Sequence, residues 1–226
     1  MRDKLIYILG GITAILLVWN LNNIFLGTPD EANQGAIARI ATFHIPAAMA
    51  AALAVAIALV CSVLYLTTKN IRFDAIAVSV TEVGLAMGAI NLITGSIWGR
   101  IIWGIWWTWD ARLTSMLISW LMYAGYLILR QAIDEPTQRA RYSAVLSILS
   151  FPGVIITYMS IKWFRTQHPG PVFESRGGGG FGPFLAPIMW NGLALLLLSV
   201  VLALVRERQE NYRRELDGMR REAHAL

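Results

Sequence analysis

Six long apolar runs, separated by short polar clusters, set the pattern of this chain. They cover roughly 5–26, 43–66, 75–97, 113–129, 142–163 and 184–205. Each is near the roughly 20 residues that a helix needs to cross a bilayer. The pattern predicts an all-α integral membrane protein with six transmembrane helices. Arg2 and Lys4 precede the first run in the manner of a signal peptide. That run is too long for one, and Trp19-Asn20-Leu21-Asn22-Asn23 offers no small-residue cleavage site, so it is expected to stay as a span. What remains outside the runs is short, apart from a basic tail. The expected organisation is a six-helix membrane domain over 1–205 and a basic tail helix over 206–226, supported by the i,i+4 pairs Glu210 with Arg214 and Asp217 with Arg221.

Charge orients the helices. Only 15% of the 226 residues are charged and 56% are hydrophobic, whereas a soluble domain carries about 25% charged residues. With the N-terminus in the cytoplasm, the inner segments hold 13 of the 19 Lys and Arg residues and the outer segments hold six. This follows the positive-inside rule, so both termini are expected to be cytoplasmic. The net charge of +5 then reflects topology and lipid contact, and no nucleic-acid partner is expected.

Five of the nine tryptophans fall in one outer segment: Trp98, Trp103, Trp106, Trp107 and Trp109. At helical spacing Trp103, Trp106, Trp107 and Asp110 stand at i, i+3, i+4 and i+7, one face of a short helix. An aromatic belt at the membrane interface accounts for any one of them. Five together, with Gly99 and Gly104 keeping the backbone slim, favour a binding platform. Arg100, Asp110 and Arg112 edge it, which suits a planar ligand with an apolar centre and a charged rim.

The histidines sort by the same topology. His224 is a solvated tail residue. His44, in Thr42-Phe43-His44-Ile45-Pro46, lies at the outer end of span two. There Pro46 either opens the helix or, if the helix starts earlier, kinks it. His168 lies beyond span five, before a proline that disfavours helix. Both therefore share the outer side with the tryptophans, although that side was assigned from Lys and Arg alone. An aromatic shelf, two imidazoles and nearby guanidinium groups match haem, with an iron that has two axial positions and two carboxylates that arginine can clamp. His44 and His168 are the candidate axial ligands to haem iron, and Arg100 and Arg112 the candidate propionate contacts. Asp110 is expected to orient the platform by pairing with Arg112 or Arg100, or else to meet a partner.

The run from Thr94 to Ser115, with Trp106-Trp107-Thr108-Trp109-Asp110 at its centre, closely resembles the tryptophan-rich WWD signature of membrane haem-handling proteins. His44-Ile45-Pro46-Ala47-Ala48 and Trp163-Phe164-Arg165-Thr166-Gln167-His168-Pro169 resemble the two histidine motifs of the cytochrome c maturation protein C family, also called haem exporter protein C or CcmC. Order, spacing and six spans all match over roughly 40–190. Phe164 and Gln167 depart from the tryptophan and leucine of that pattern, and neither removes a ligand. The resemblance implies a protein of the bacterial inner membrane that is not itself an enzyme. It would hold haem b at the outer, periplasmic face and present it to the periplasmic haem chaperone CcmE. It would work with the ABC transporter subunits CcmA and CcmB and the small membrane subunit CcmD. The sequence has no GxxxxGK[ST] phosphate loop, so ATP hydrolysis would belong to those partners.

Two other haem proteins fit parts of the pattern. A cytochrome b-like electron carrier pairs histidines, but within its bundle, and a cytochrome c synthetase of the same superfamily carries more spans and more histidines. A structural permease subunit would bind no haem. Elsewhere, Cys61 reads as a small buried apolar residue. Without a C-x-x-C pair, neither thiol exchange nor covalent haem is expected. Glu82 in span three is costly in hydrocarbon, so it needs a structural hydrogen bond or a partner. Gly84 and Gly88 form a small-xxx-small pair for close packing. Pro152-Gly153 should kink span five and help place His168, while the Gly177–Gly180 run should make the last outer loop flexible.

Overall fold

The computed structural model describes residues 2–168 and 182–225. Arg176, Pro169 and the Gly177–Gly180 run lie outside them, as does the side chain of His224. All six expected spans are helices long and apolar enough to cross a membrane: α1 (Arg2–Asn22), α2 (Ala41–Thr68), α3 (Ile71–Trp103), α4 (Ala111–Ala132), α5 (Pro136–Trp163) and α6 (Leu185–Ala225). A π turn (Asn23–Gly27) ends α1, and a 3-10 turn (Ala36–Ile40) leads into α2. Span six and the basic tail form one continuous helix of 41 residues, about 60 Å long at 1.5 Å per residue.

The packing is that of a membrane bundle, with small residues inside and large apolar ones facing out. Ala50, Ala51, Val83 and Met87 make one core cluster and Ala54, Ala58 and Val80 another. Leu5, Ile8, Ile12, Ile15, Leu121 and Ile128 are exposed. Lipid tails are as apolar as these side chains, so close backbone approach holds the helices together. The expected glycine pair serves that approach. A Cβ on Gly84 would lie 3.1 Å from Cβ of Ala54, and one on Gly88 would lie 2.9 Å from Trp120. Trp120 in turn donates its indole N–H to the carbonyl of Leu85 at 2.9 Å. Helix α5 runs unbroken through Pro152, and Gly153 makes room for Ser119 of α4, whose Oγ would be 2.6 Å from an added Cβ.

Without water in the hydrocarbon, each freed backbone group needs a partner from the protein. Helix α2 starts five residues before Pro46, so this proline lies inside the helix instead of opening it. It has no N–H for the carbonyl four residues back, that of Thr42. Asn191 of α6 supplies the missing donor at 2.6 Å. Some hydroxyls bond within their own helix, Ser79 to Ala75, Ser150 to Leu146 and Thr157 to Gly153, whereas the buried hydroxyls of Ser62, Thr81, Ser143 and Ser147 have no partner among the described residues.

Charges cluster at the end of the bundle that carries both termini, where Arg208 of α6 reaches Asp3 at 2.6 Å. Asp74 accepts two hydrogen bonds from Arg130, at 2.6 and 3.0 Å, and one from Arg214 at 2.6 Å. Glu210 lies 3.0 Å from Arg214, the expected i,i+4 pair, and 3.4 Å from Arg130. Asp217 differs from expectation, since its ion pair is with Arg220 at 3.7 Å and not with Arg221. Glu82 finds its partner within the chain: Arg206 holds it with two hydrogen bonds and so ties α6 to α3.

Asp74, Arg130 and Glu210 are all buried, so removing one charge strands the others. Asp74→Asn should cost about 3–5 kcal/mol and lower the thermal unfolding midpoint in detergent markedly. Replacing Asp74 and Arg130 together by Leu and Met should recover part of that loss. A double variant no more stable than Asp74→Asn would show that the pair does not act as a unit.

Candidate functional site

At the opposite end, the tryptophan segment departs from the expected short helix. Helix α3 continues through Trp98 to Trp103 and stops at Gly104, whose φ of +78° is the left-handed C-terminal cap that glycine accepts readily. From Gly104 to Asp110 the chain is not helical, until Asp110 caps the next helix by accepting the Leu113 N–H at 2.8 Å. Trp103, Trp106, Trp107 and Asp110 therefore do not form one helical face. Both punctuation marks, Gly104 and Asp110, interrupt the spacing on which that face depended.

The five indoles divide accordingly. Trp103 folds back on its own helix, with ring atoms 3.2 and 3.4 Å from where a Cβ on Gly99 would stand. Trp106 and Trp109 are exposed, and Trp107 meets Trp109 edge-on at 5.9 Å. The buried indole N–H of Trp107 has no partner among the described residues. Trp98 belongs elsewhere. It packs against the Phe184–Ile188 cluster, donates to Gln34 at 2.9 Å, and meets the His44 ring edge-on at 5.8 Å.

His44 sits against α3 in a cradle that only glycine permits: a Cβ on Gly95 would lie 2.9 Å from its Cε1. Thr94 decides its tautomer. The threonine hydroxyl gives its single hydrogen to a backbone carbonyl, Ile90 at 2.6 Å or Asn91 at 3.2 Å. Its oxygen, 3.1 Å from His44 Nδ1, is left to accept. Nδ1 therefore carries the proton and Nε2 the lone pair. The amide nitrogen of Asn91 donates to the His44 carbonyl at 3.1 Å and lies 3.2 and 3.3 Å from the two ring nitrogens. Near-equal distances place it over the ring face, because a bond along the Nε2 lone pair would leave Nδ1 far more remote. Nε2 is then the nitrogen that could meet a metal, with the Asn91 amide nitrogen 3.3 Å from it.

His168 is held by a different device. It follows α5 on a non-helical segment whose Thr166 hydroxyl donates to Asp110 Oδ2 at 2.6 Å and whose Gln167 N–H donates to the same oxygen at 3.2 Å. The Thr166 oxygen also accepts the His168 N–H at 3.1 Å. Asp110 thus ties the segment that carries His168 to the start of α4 through O–H and N–H donors. Burial favours its protonated form, yet the hydrogen bonds from Leu113, Thr166 and Gln167 outweigh that and hold the carboxyl below its ordinary range.

Arg112 and His168 lie close enough to His44 for their charges to act on its imidazole. Arg112 also donates to the Thr157 carbonyl of α5 at 3.3 Å. Arg100 is apart from this group and caps its own helix at the Gly104 carbonyl. The structure thus brings together His44, His168, Arg112 and Asp110, with Trp98 beneath. It leaves Arg100, Trp103, Trp106 and Trp109 at the rim. These features fit a haem: two imidazoles, a cation for a propionate and an indole N–H without a partner among the described residues.

Asn91, Thr94 and Gly95 had no predicted role, though one signal was readable. Asn91 is a polar residue within an apolar span, and Thr94 and Gly95 follow it at i+3 and i+4. Arg39 was also missed. It bonds the Ile24 carbonyl at 3.0 Å, the Thr28 carbonyl at 2.7 Å and Asp30 at 2.5 Å, fixing the connection that carries Gln34 to Trp98.

Gly95→Ala should push the imidazole off α3 and alter haem affinity and spectrum, whereas Gly10→Ala, where a Cβ meets open space, should not. Equal behaviour of the two variants would remove the cradle argument. Asp110→Ala should cost about 1 kcal/mol as a lost helix cap and free the 166–168 segment, read as faster tryptic cleavage at Arg165. With its carboxyl titrating low in the fold, Asp110 stabilises above the ordinary carboxylate range and loses that contribution only as pH falls through the lowered value. Cleavage at Arg165 in the unmodified chain, taken relative to an unstructured control peptide so that the protease's own pH dependence cancels, should accordingly not change between pH 7 and pH 5.

Comparison with known proteins is consistent along nearly the whole chain. The model of a family described as heme exporter protein C matches residues 1–222. Heme exporter protein C of Bradyrhizobium diazoefficiens is 35% identical over 212 residues, covering 93% of this chain and 80% of that relative. Its counterpart in Paracoccus denitrificans is 34% identical, covering 90% and 83%, and that of Escherichia coli K12 is 34% identical, covering 80% and 73%. With this coverage, six membrane-crossing helices and the histidine pair at one end of the bundle, the chain belongs to the heme exporter protein C family.

Proposed function

We propose that this chain takes part in haem export for cytochrome c maturation, as a transport component and not an enzyme. In this reading it binds b-type haem between His44 and His168 and gives it up to the periplasmic chaperone CcmE. The observation that carries the reading is that His44, with Nδ1 on Thr94, has His168 and Arg112 near enough for their charges to act on it at one end of the bundle. Haem supplies an iron with two axial positions, a flat apolar ring and two propionates. His44 and His168 would hold the iron, Arg112 would hold a propionate, and Trp107 and Trp109 would lie beside the ring. Arg100, at the rim, serves the second propionate only if it leaves Gly104. Trp98, which packs in the protein, supports His44 from below, and Trp103 and Trp106 border the platform.

The membrane is the bacterial inner membrane, with both termini cytoplasmic and the tryptophan segment periplasmic. CcmA, CcmB and CcmD are the remaining partners, and ATP hydrolysis falls to them. Support for this orientation comes from the Lys and Arg distribution and from the position of both termini at one end of the bundle. Asn33 and Gln138 are exposed at opposite ends. Cysteines placed there, in a Cys61→Ala background, should be labelled from the periplasm and the cytoplasm respectively, and the reverse would overturn the orientation.

The test of function is spectroscopic and then chemical. His44→Ala and His168→Ala should each change the absorption spectrum of haem-loaded protein, and the double variant should fail to transfer haem to purified CcmE. Arg112→Lys keeps the charge but loses the planar fork and should weaken haem retention. Unaltered spectra in both single variants would place the iron elsewhere. Transfer at the wild-type rate from the double variant would end the delivery reading.

A further inference from the structure

The end of the bundle remote from the histidines carries a second feature that haem handling does not use. A cavity of about 210 Å³ is lined by Ile71, Asp74, Pro136, Arg139, Arg214, Asp217 and Arg221. Three arginines face it from two helices, against two carboxylates. Those carboxylates are committed elsewhere: Asp74 to Arg130 and Arg214, and Asp217 to Arg220. Among the described residues, neither Arg139 nor Arg221 has a carboxylate at ion-pair distance.

Arg139 is the informative one. It is buried, in the first turn of α5. Besides its burial, the charges of Arg130, Arg213 and Arg214 act against its own, and that of Glu210 favours it. A buried guanidinium among like charges is costly unless an anion compensates it. The helix start beside it contributes nothing, because Glu135 already takes the N–H groups of Thr137 and Gln138 at 2.8 and 2.5 Å. Any anion in the cavity must therefore be held by the guanidinium groups themselves.

We infer that this cavity binds a phosphate group, with Arg139 and Arg221 as its principal donors. Guanidinium meets phosphate through paired, charge-assisted hydrogen bonds. The site lies where α3 and α5 begin, with Ile71 exposed beside it, so the headgroup phosphate of an anionic phospholipid can enter from the membrane. A free phosphate has the same chemistry from the aqueous side.

The test uses the full chain, stripped of lipid in a zwitterionic detergent, with three probes: phosphatidylglycerol in mixed micelles, phosphatidylcholine, and inorganic phosphate. Phosphatidylglycerol should bind well above phosphatidylcholine, and Arg139→Gln and Arg221→Gln should each weaken it by about tenfold, the loss of one charge-assisted contact. Haem binding should be unchanged in both, which also reports folding. Should a glutamine variant fail to fold, Arg139→Lys and Arg221→Lys keep the charge and should weaken binding less, through loss of the fork. Binding of inorganic phosphate alone, with the same arginine dependence, supports the site and makes its source soluble. Equal binding of the two lipids without phosphate binding, binding of no probe, or wild-type affinity in the variants overturns the proposal.

Discussion

The close contact between α2 and α3 is the constraint on which the rest of the structure depends. The two helices form a hairpin around Lys69-Asn70, where Lys69 takes a left-handed conformation and Asn70 caps α3 through the Arg72 N–H. From that turn the register is fixed. Ala54 meets Gly84, and ten residues further out on each helix His44 meets Thr94. Glycine at 84 admits the neighbouring methyl, and glycine at 95 admits the imidazole. Helices separated by larger side chains could not keep Thr94, Asn91 and Gly95 in contact with one ring. The position of the candidate ligand is thus a consequence of backbone approach, the main source of helix association in lipid.

The same economy governs the polar groups. Pro46 gives α2 a carbonyl without a helical donor, and Asn191 turns that gap into a tether between α2 and α6. Glu82 and Arg206 act alike between α3 and α6. A polar group in hydrocarbon is destabilising alone but directional when paired, so each such pair specifies which helix stands next to which. Helix α1 leans on α6, with Trp19 edge-on to Trp190 at 5.6 Å.

The six helices were legible in the chain because hydrocarbon demands long apolar runs and nothing else satisfies that demand. Helix ends were less legible. Span three was expected to stop near 97, yet helix persists to Trp103, since interfacial tryptophans do not break helices and Gly104 does. The tryptophan face failed for a related reason: periodicity was counted across a glycine cap and an aspartate cap, the two residue types that reset it. The histidine pair was legible because topology alone put both residues at one end. The residues that orient them were not. Thr94 and Asn91 act through a ring that lies 50 and 47 positions away in sequence, and such partners are chosen by helix register, which composition does not reveal.

Under the delivery reading, the two histidines are held in deliberately unequal ways. His44 is part of the α2–α3 seam, with its tautomer set by Thr94 and one face covered by Asn91, so moving it means separating two packed helices. His168 stands outside any helix, and its segment is joined to Asp110 by a hydroxyl and a backbone N–H. Each bond to a charged acceptor contributes about 1.5–3 kcal/mol, far less than dismantling a helix pair. A protein that must keep its cargo and yet surrender it needs one ligand that stays and one that can leave. The asymmetry lies in where the two side chains are held, one within a seam between two helices and the other on a segment outside any helix.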